Sequence, residues 1–400
     1  MRFKLLLIFA TVFLTSVVKA QKTYIPDANF EQKLIDLSYD DVLDDSVLTA
    51  NIDTVTILEL EQLFIYDLTG IEDFASLELL DCNTNQLTDI DVSQNAMLKT
   101  LICNDNYLST LEISNNINLN ELQGYNNELT TLSLPNSSSL EHINVENNEL
   151  TAIDISNNLN LNHINLDKND LTSLDISNNV ALKELSCYYN NIAEIDLSNN
   201  LNLRFFGLSF SDITDIDLSN NTQLDALGIE VTDLVHLNLS DNINLKNVLL
   251  VNNHDLISVD LANDHNDSLE MVYVSDSPAL ICVQVDDTTN LDSDIWLVPQ
   301  PILLPHSILS EDCENIIGLE EEIENSFELS PNPTSNLINV ELEKRVSYKI
   351  YSILGKDVLQ VGVLQKGNNI LDLAYLDNGM YIIQITNEQG LTTTKKIIKQ

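Results

Sequence analysis

Positive charge is scarce in this chain: 18 Lys+Arg stand against 62 Asp+Glu, for a formal net charge of −44. Nucleic acid and anionic lipid both need a basic surface, so neither is expected as a primary partner. Glycine is scarce too, with 10 in 400 residues. That leaves little for loops that cradle phosphates by close backbone approach. There is no HExxH, no GxSxG, no P-loop and no dinucleotide-binding turn, and the expectation is a protein that is not an enzyme. Cysteines number five, so at least one has no partner within the chain. Beyond the first 20 residues no apolar run is long enough to span a bilayer, so no transmembrane segment is expected in the mature chain.

What the chain does have is a period. Leu or Ile returns every 21 residues at Leu87, Leu108, Leu129, Leu150, Leu171, Ile192, Ile213 and Leu234. Each unit holds two half-phrases, such as LTDIDVSQN (87–95) and LKTLICNDN (98–106), with apolar residues first, fourth and sixth and Asn ninth. Short alternation ending in Asn reads as strand, turn, strand, turn. The fold expected is a leucine-rich-repeat β-solenoid with two short strands per coil and equivalent residues about 4.8 Å apart. Such solenoids offer a wide, regular surface and seldom a catalytic pocket. Two Asn columns follow from the stacking. One runs through Asn95, Asn116, Asn158, Asn179, Asn200, Asn221 and Asn242, interrupted by Ser137. The other runs from Asn85 through Asn106, Asn127, Asn148, Asn169 and Asn190, then Ser211, Thr232 and Asn253. Inward amides satisfy the backbone groups that each turn leaves bare. Ahead of the repeats, IPDANFEQKLIDL (25–37) has helix-like apolar spacing behind Pro-Asp and suits a helical N-terminal cap.

The repeats, of which LTSLDISNNVALKELSCYYNNI (171–192) is representative, resemble leucine-rich-repeat proteins of the Bacteroidetes cell surface. The last 74 residues differ: 327–400 hold 8 Lys+Arg and 7 Asp+Glu, which leaves 10 and 55 for the rest of the chain. Strand-like runs between turn signals there predict a small, immunoglobulin-like all-β sandwich. Four pieces, LSPNPTSNLINVEL (329–342), IYSILGKDV (350–358), LDNGMYIIQI (376–385) and KKIIKQ (395–400), make this tail similar to the type A C-terminal sorting domain of the type IX secretion system. That resemblance implies transport across an outer membrane and recognition by the secretion machinery through a part that includes Gly379, Tyr381, Lys395 and Lys396. Residues 1–20, with Arg2 and Lys4, an apolar core and Val-Lys-Ala, read as a secretory signal peptide. The organisation expected is signal peptide 1–20, N-terminal cap 21–54, solenoid 55–262, C-terminal cap 263–313, acidic linker 314–326 and sorting domain 327–400. The destination is the outer cell surface or the medium.

Cys82, Cys103 and Cys187 share a core column and read as small buried hydrophobes, with a Cys82–Cys103 bridge between adjacent coils left open. Cys282 and Cys313 lie outside the repeats, placed to clamp the open end of the solenoid, a pairing that the family resemblance supports. One outward column is acidic: Asp91, Glu112, Asp154, Asp175, Asp196, Asp217 and Asp260. Stacked carboxylates should repel, so some are expected to titrate high or attract cations, and calcium is the one cofactor this column suggests. A straight column offers too few oxygens to one point for a calcium cage, and a solvated face is the plainer reading. His142 and His163 share another outward column, but two His do not make a metal site. Outward aromatics gather at Tyr188, Tyr189, Phe205 and Phe210, with Tyr125 further along, while Phe206 falls in a core column. Adjacent exposed aromatics suit a ligand-binding patch or local packing. The function expected is recognition of an extracellular protein or glycan, with a calcium-dependent structural role in a cell coat or biofilm as the alternative.

Overall fold

The computed structural model of the chain describes residues 20–288, 296–297, 308–313, 327–342, 344–352, 358–386 and 392–400. The core of the signal-like segment and the acidic linker lie outside the described residues. By its contacts the chain divides into two compact units, Met1–Leu182 and Lys183–Gln400.

The first unit opens with the expected cap. The carboxylate of Asp27 accepts the N–H groups of Asn29 (2.9 Å) and Phe30 (3.1 Å) and so starts the helix Ala28–Asp36. That helix buries Phe30 and Leu34, and Phe30 stacks on Phe74 with ring centroids 6.2 Å apart. Glu31 is wholly buried and receives the N–H groups of Asp44 and Ser46. Beyond the cap, strands Ile57–Glu59, Leu79–Asp81, Thr100–Ile102, Glu121–Gln123, His142–Asn144 and His163–Asn165 form a parallel ladder, each pairing with the next. The register equals the repeat: Leu80 faces Leu101 and Ile143 faces Ile164. The fourth and sixth positions point inward, so Leu101, Cys103, Leu122 and Val145 are fully buried.

The second unit has its own parallel ladder, of strands Glu184–Cys187, Phe205–Ser211, Ala226–Thr232, Asn247–Val251, Met271–Ser275 and Trp296–Leu297. Opposite them, His236–Asn238, Ser258–Asp260, Cys282–Gln284 and Ile308–Ser310 form a second parallel ladder. The two-strand coil is thus present at this end, but in the first unit the second strand is bonded only between Thr110–Glu112 and Thr131–Ser133. On the coils that follow, Asp154 and Asp175 each accept the N–H of the serine two residues on at 3.0 Å. The same unit holds the sandwich. One antiparallel sheet is Phe327–Ser330, Leu337–Leu342 and Gly367–Asp372, and the other is Val358–Leu364, Val346–Ser352, Gly379–Thr386 and Thr392–Lys399. Phe327, Ile338, Ile350, Ile383 and Ile397 belong to its core.

Both Asn columns bond as the repeat logic requires. Asn148 donates to the carbonyls of Gly124, Val145 and Glu146 and accepts the N–H of Leu129. Asn116 donates to Val92 and Asn95. One core position is underfilled. Gly124 occupies the column of Cys103 and Val145, and a Cβ built there meets Val145 Cγ1 at 3.6 Å and Cys103 Sγ at 3.8 Å, ordinary contact distances. Gly124→Ala should therefore stabilise the first unit by about 0.5–1 kcal/mol, through lower unfolded-state entropy and added buried surface. Calorimetry should show a melting point higher by roughly 1–4 °C; a fall would mean that the column has no room for the methyl group.

Candidate ligand-binding face

On the strand face of the second unit, alternation turns Phe206 and Leu208 into the core, both fully buried, and Phe205, Gly207 and Ser209 to the other side. The matching positions of the next strands are Ala226, Gly228 and Glu230, then Asn247, Leu249 and Val251. The two glycines have one purpose. A Cβ on Gly207 would stand 2.4 Å from the Tyr188 ring, and one on Gly228 would stand 1.8 Å from its hydroxyl. Tyr188 therefore lies over the next two coils, and only glycine admits it.

Beside this ring runs a second feature of the backbone. The residue before the Asn column has positive φ on every coil, and most coils fill it with polar residues: Thr84, Asp105, Asn126, Asn147, Lys168 and Asn252. Asn and Asp hold this conformation at least cost, and bulky residues do so poorly. Three consecutive coils nonetheless carry Tyr189 (φ 56°), Phe210 (54°) and Val231 (52°). Tyr189 and Phe210 stack with centroids 4.7 Å apart, yet each remains 48% exposed. The result is an exposed apolar ridge on a strained backbone. A further apolar row, Ile117, Leu159, Val180, Leu201 and Ile243, is also about half exposed, but it sits at turns without positive φ and carries no comparable strain.

The structure thus brings Tyr188, Tyr189, Phe205 and Phe210 together on adjacent coils. Tyr125 is half-buried in the first unit, and its ring stacks on no other aromatic among the described residues. The strand face of that unit is polar: Glu121, Gln123, His142, Asn144, His163 and Asn165, with the two imidazoles stacked 4.6 Å apart. Reading the columns by sequence missed Val231, Leu249, Val251, Met271 and Tyr273, which extend the apolar face of the second unit. The signal was present in the sequence: two of only ten glycines stand 21 residues apart in one strand column.

The acidic column behaves differently from the sequence-based expectation. Instead of titrating high, Asp91, Glu112, Asp154, Asp175 and Asp217 are held below their usual range. A hydrogen bond from the serine two residues on is the main cause in each. Ser156 Oγ, for example, donates to Asp154 at 2.6 Å. Repulsion from Asp175 on Asp154 is the weakest influence there. Asp196 likewise accepts the N–H of Ser198. Asp260 is raised, by burial first and then by Asp286. Among the described residues no three His, Cys, Asp or Glu converge where a metal ion would sit.

Cys282 and Cys313 are joined in a disulfide. Cys82, Cys103 and Cys187 are buried and in no disulfide, so the adjacent-coil bridge does not form. Burial pushes the Cys103 thiol up to about 12.

In the sandwich, Tyr381 is buried and donates its hydroxyl to Asp377 O at 2.7 Å. Lys395 donates to Phe327 O at 2.6 Å and lies 4.8 Å above the Phe327 ring. Both therefore tie the domain together, whereas Gly379 and Lys396 are exposed. Lys399 was missed: it is buried and donates to the carbonyls of Leu373, Ala374 and Leu376. Among the described residues no carboxylate pairs with it, only converging carbonyls, which no pattern of letters announces.

This architecture defines an exported leucine-rich-repeat solenoid. Residues 328–400 match the family model of the secretion system C-terminal sorting domain, so the protein is delivered by type IX secretion to the cell surface or outside. Among solved structures the chain is similar to the functional domain of InlJ from Listeria monocytogenes, at 22% identity and a TM-score of 0.51, covering 95% of this chain and 99% of that one. It is also similar to the internalin InlF of Listeria monocytogenes, at 21% identity and a TM-score of 0.50, covering 72% and 96%. The leucine-rich-repeat domain of APL1B matches at 20% identity and a TM-score of 0.50, covering 68% and 89%. These likenesses establish the fold. No curated protein matches the sequence. Among the described residues no helix is long and apolar enough to cross a membrane.

Proposed function

We propose that this protein is a non-enzymatic recognition protein that binds an extracellular protein or glycan through the strand face of its second unit. The observation that carries this is the ridge Tyr189–Phe210–Val231, in which two exposed aromatics and a half-buried valine occupy a backbone conformation that Asn would hold at lower energy. Strained positions cluster at functional sites, and here the stacked rings stay half exposed. Exposed aromatics are the usual anchors of protein interfaces. The structural kinship with internalins supports a binding role for the solenoid.

The test is binding of the full chain to panels of matrix proteins and glycans, with and without chelator. Tyr189→Asn with Phe210→Asn should weaken a chelator-resistant hit by about 30-fold or more, equivalent to ~2 kcal/mol. The same change should leave the melting point unchanged or higher, because Asn suits positive φ. Binding that survives the double substitution would remove the ridge from the site. Binding or self-association seen only with Ca²⁺ would transfer the function to the acidic column and favour a structural role in a cell coat.

A further inference from the structure

The apolar face of the second unit contains one charged side chain that nothing in the fold explains. Glu230 lies on the outward side of the strand Ala226–Thr232, two residues beyond Gly228, over which the Tyr188 hydroxyl rests. Ser209 pairs beside it on one side and Val251 on the other, and Val231 of the ridge follows it directly. The Ser209 hydroxyl oxygen accepts the Tyr189 N–H at 2.8 Å. Glu230 is partly buried, and its carboxylate makes no hydrogen bond or ion pair with any described residue.

The nearby cations are engaged elsewhere. Arg204 pairs with Asp225 at 2.6 Å and Lys246 with Glu270 at 3.7 Å. All four residues stand at the beginnings of the strands, whereas Glu230 is toward the other end. A carboxylate taken partly out of water without a partner is a cost to folding. Burial accordingly pushes the Glu230 carboxyl up.

We propose that Glu230 receives a lysine or arginine side chain of a polypeptide partner, framed by Tyr188, Phe210, Val231 and Val251. The inference rests on the strand face being the binding face. A cation brought into this frame meets an unpaired carboxylate and aromatic rings together, and partial exclusion of water strengthens both attractions. Leu249, Val251 and Met271 then cover apolar side chains flanking the cation. That aliphatic floor suits a peptide better than the hydroxyl-covered surface of a glycan. The chain's net charge of −44 steers a basic partner toward it.

The experiment is selection of short displayed peptides from a random library against the immobilised full chain. Enriched sequences should carry Lys or Arg between aromatic or aliphatic residues. For a synthesised member, Glu230→Gln should weaken binding about tenfold or more, and replacing the peptide's cation by Gln should do the same. Both changes together should cost little more than either alone, the mark of a direct pair. Asp217→Asn should have no effect, and Glu230→Gln should not lower the melting point. Selected peptides without a cation, or full affinity in Glu230→Gln, would overturn the proposal. If Phe210→Asn abolishes binding while Glu230→Gln does not, the apolar face stands and the cation assignment falls. If neither variant matters, or no peptide is enriched, both fall.

Discussion

Asn106→Ala is expected to destabilise the first unit by about 3 kcal/mol, at the upper end for groups left unsatisfied in a core. The Asn106 amide is buried and donates to Cys82 O at 3.0 Å, Cys103 O at 3.1 Å and Asn104 O at 3.2 Å. Its oxygen accepts the Leu87 N–H at 3.0 Å. Truncation thus strands carbonyls and an N–H group at once, on two successive coils. Because each coil of a solenoid rests on its neighbours, the defect weakens two interfaces. For a unit of this size the melting midpoint should fall by roughly 6–12 °C. Asn118→Ala is the control. That amide is exposed and donates only to Ala96 O, so its loss should stay within about 0.5 kcal/mol. Equal effects of the two substitutions in denaturant titrations would mean that the buried column is not what couples the coils.

Reduction of the Cys282–Cys313 disulfide is expected to cost about 3–4 kcal/mol, the loop-closure entropy for a separation of 31 residues. Cys282 opens a strand that pairs with both Ser258–Asp260 and Ile308–Ser310. The Cys313 N–H donates to the Gln284 side chain at 3.1 Å. The covalent link therefore holds the strand Ile308–Ser310, which among the described residues pairs on one side only. Hydrogen exchange should show protection lost along Cys282–Gln284 and Ile308–Ser310 on reduction, and Cys282→Ser should reproduce the effect with no further response to reductant. The remaining thiols simplify the reading, since Cys82, Cys103 and Cys187 are buried and burial disfavours the reactive thiolate. Unchanged exchange in reductant would show that the cap is held by its hydrogen bonds alone.

The period of the repeat, the inward columns, the helical cap and the sandwich were legible in the sequence because each depends on spacing alone. Once Leu87 and Leu108 stand 21 residues apart, their environments are equivalent, and Asn95 or Asn106 can be assigned to the core without coordinates. The sorting tail was legible for a related reason: its motifs are local and come in order. What a side chain does across neighbouring coils is not set by spacing. The spacing puts Tyr188 on the outward side and leaves open a binding patch or local packing; its ring lies over Gly207 and Gly228, and the more exposed rings are Tyr189 and Phe210. Whether Asp154 titrates high or low was decided by a serine two residues on, a hydrogen bond stronger there than repulsion through solvent from the next coil. The strain at Tyr189, Phe210 and Val231 and the solitary carboxylate of Glu230 arise only when backbone angles and neighbouring coils are known together. The sequence by itself determined the scaffold, because a solenoid's core repeats with the chain. The tertiary structure alone decided the site, because a site is made where coils cease to be equivalent.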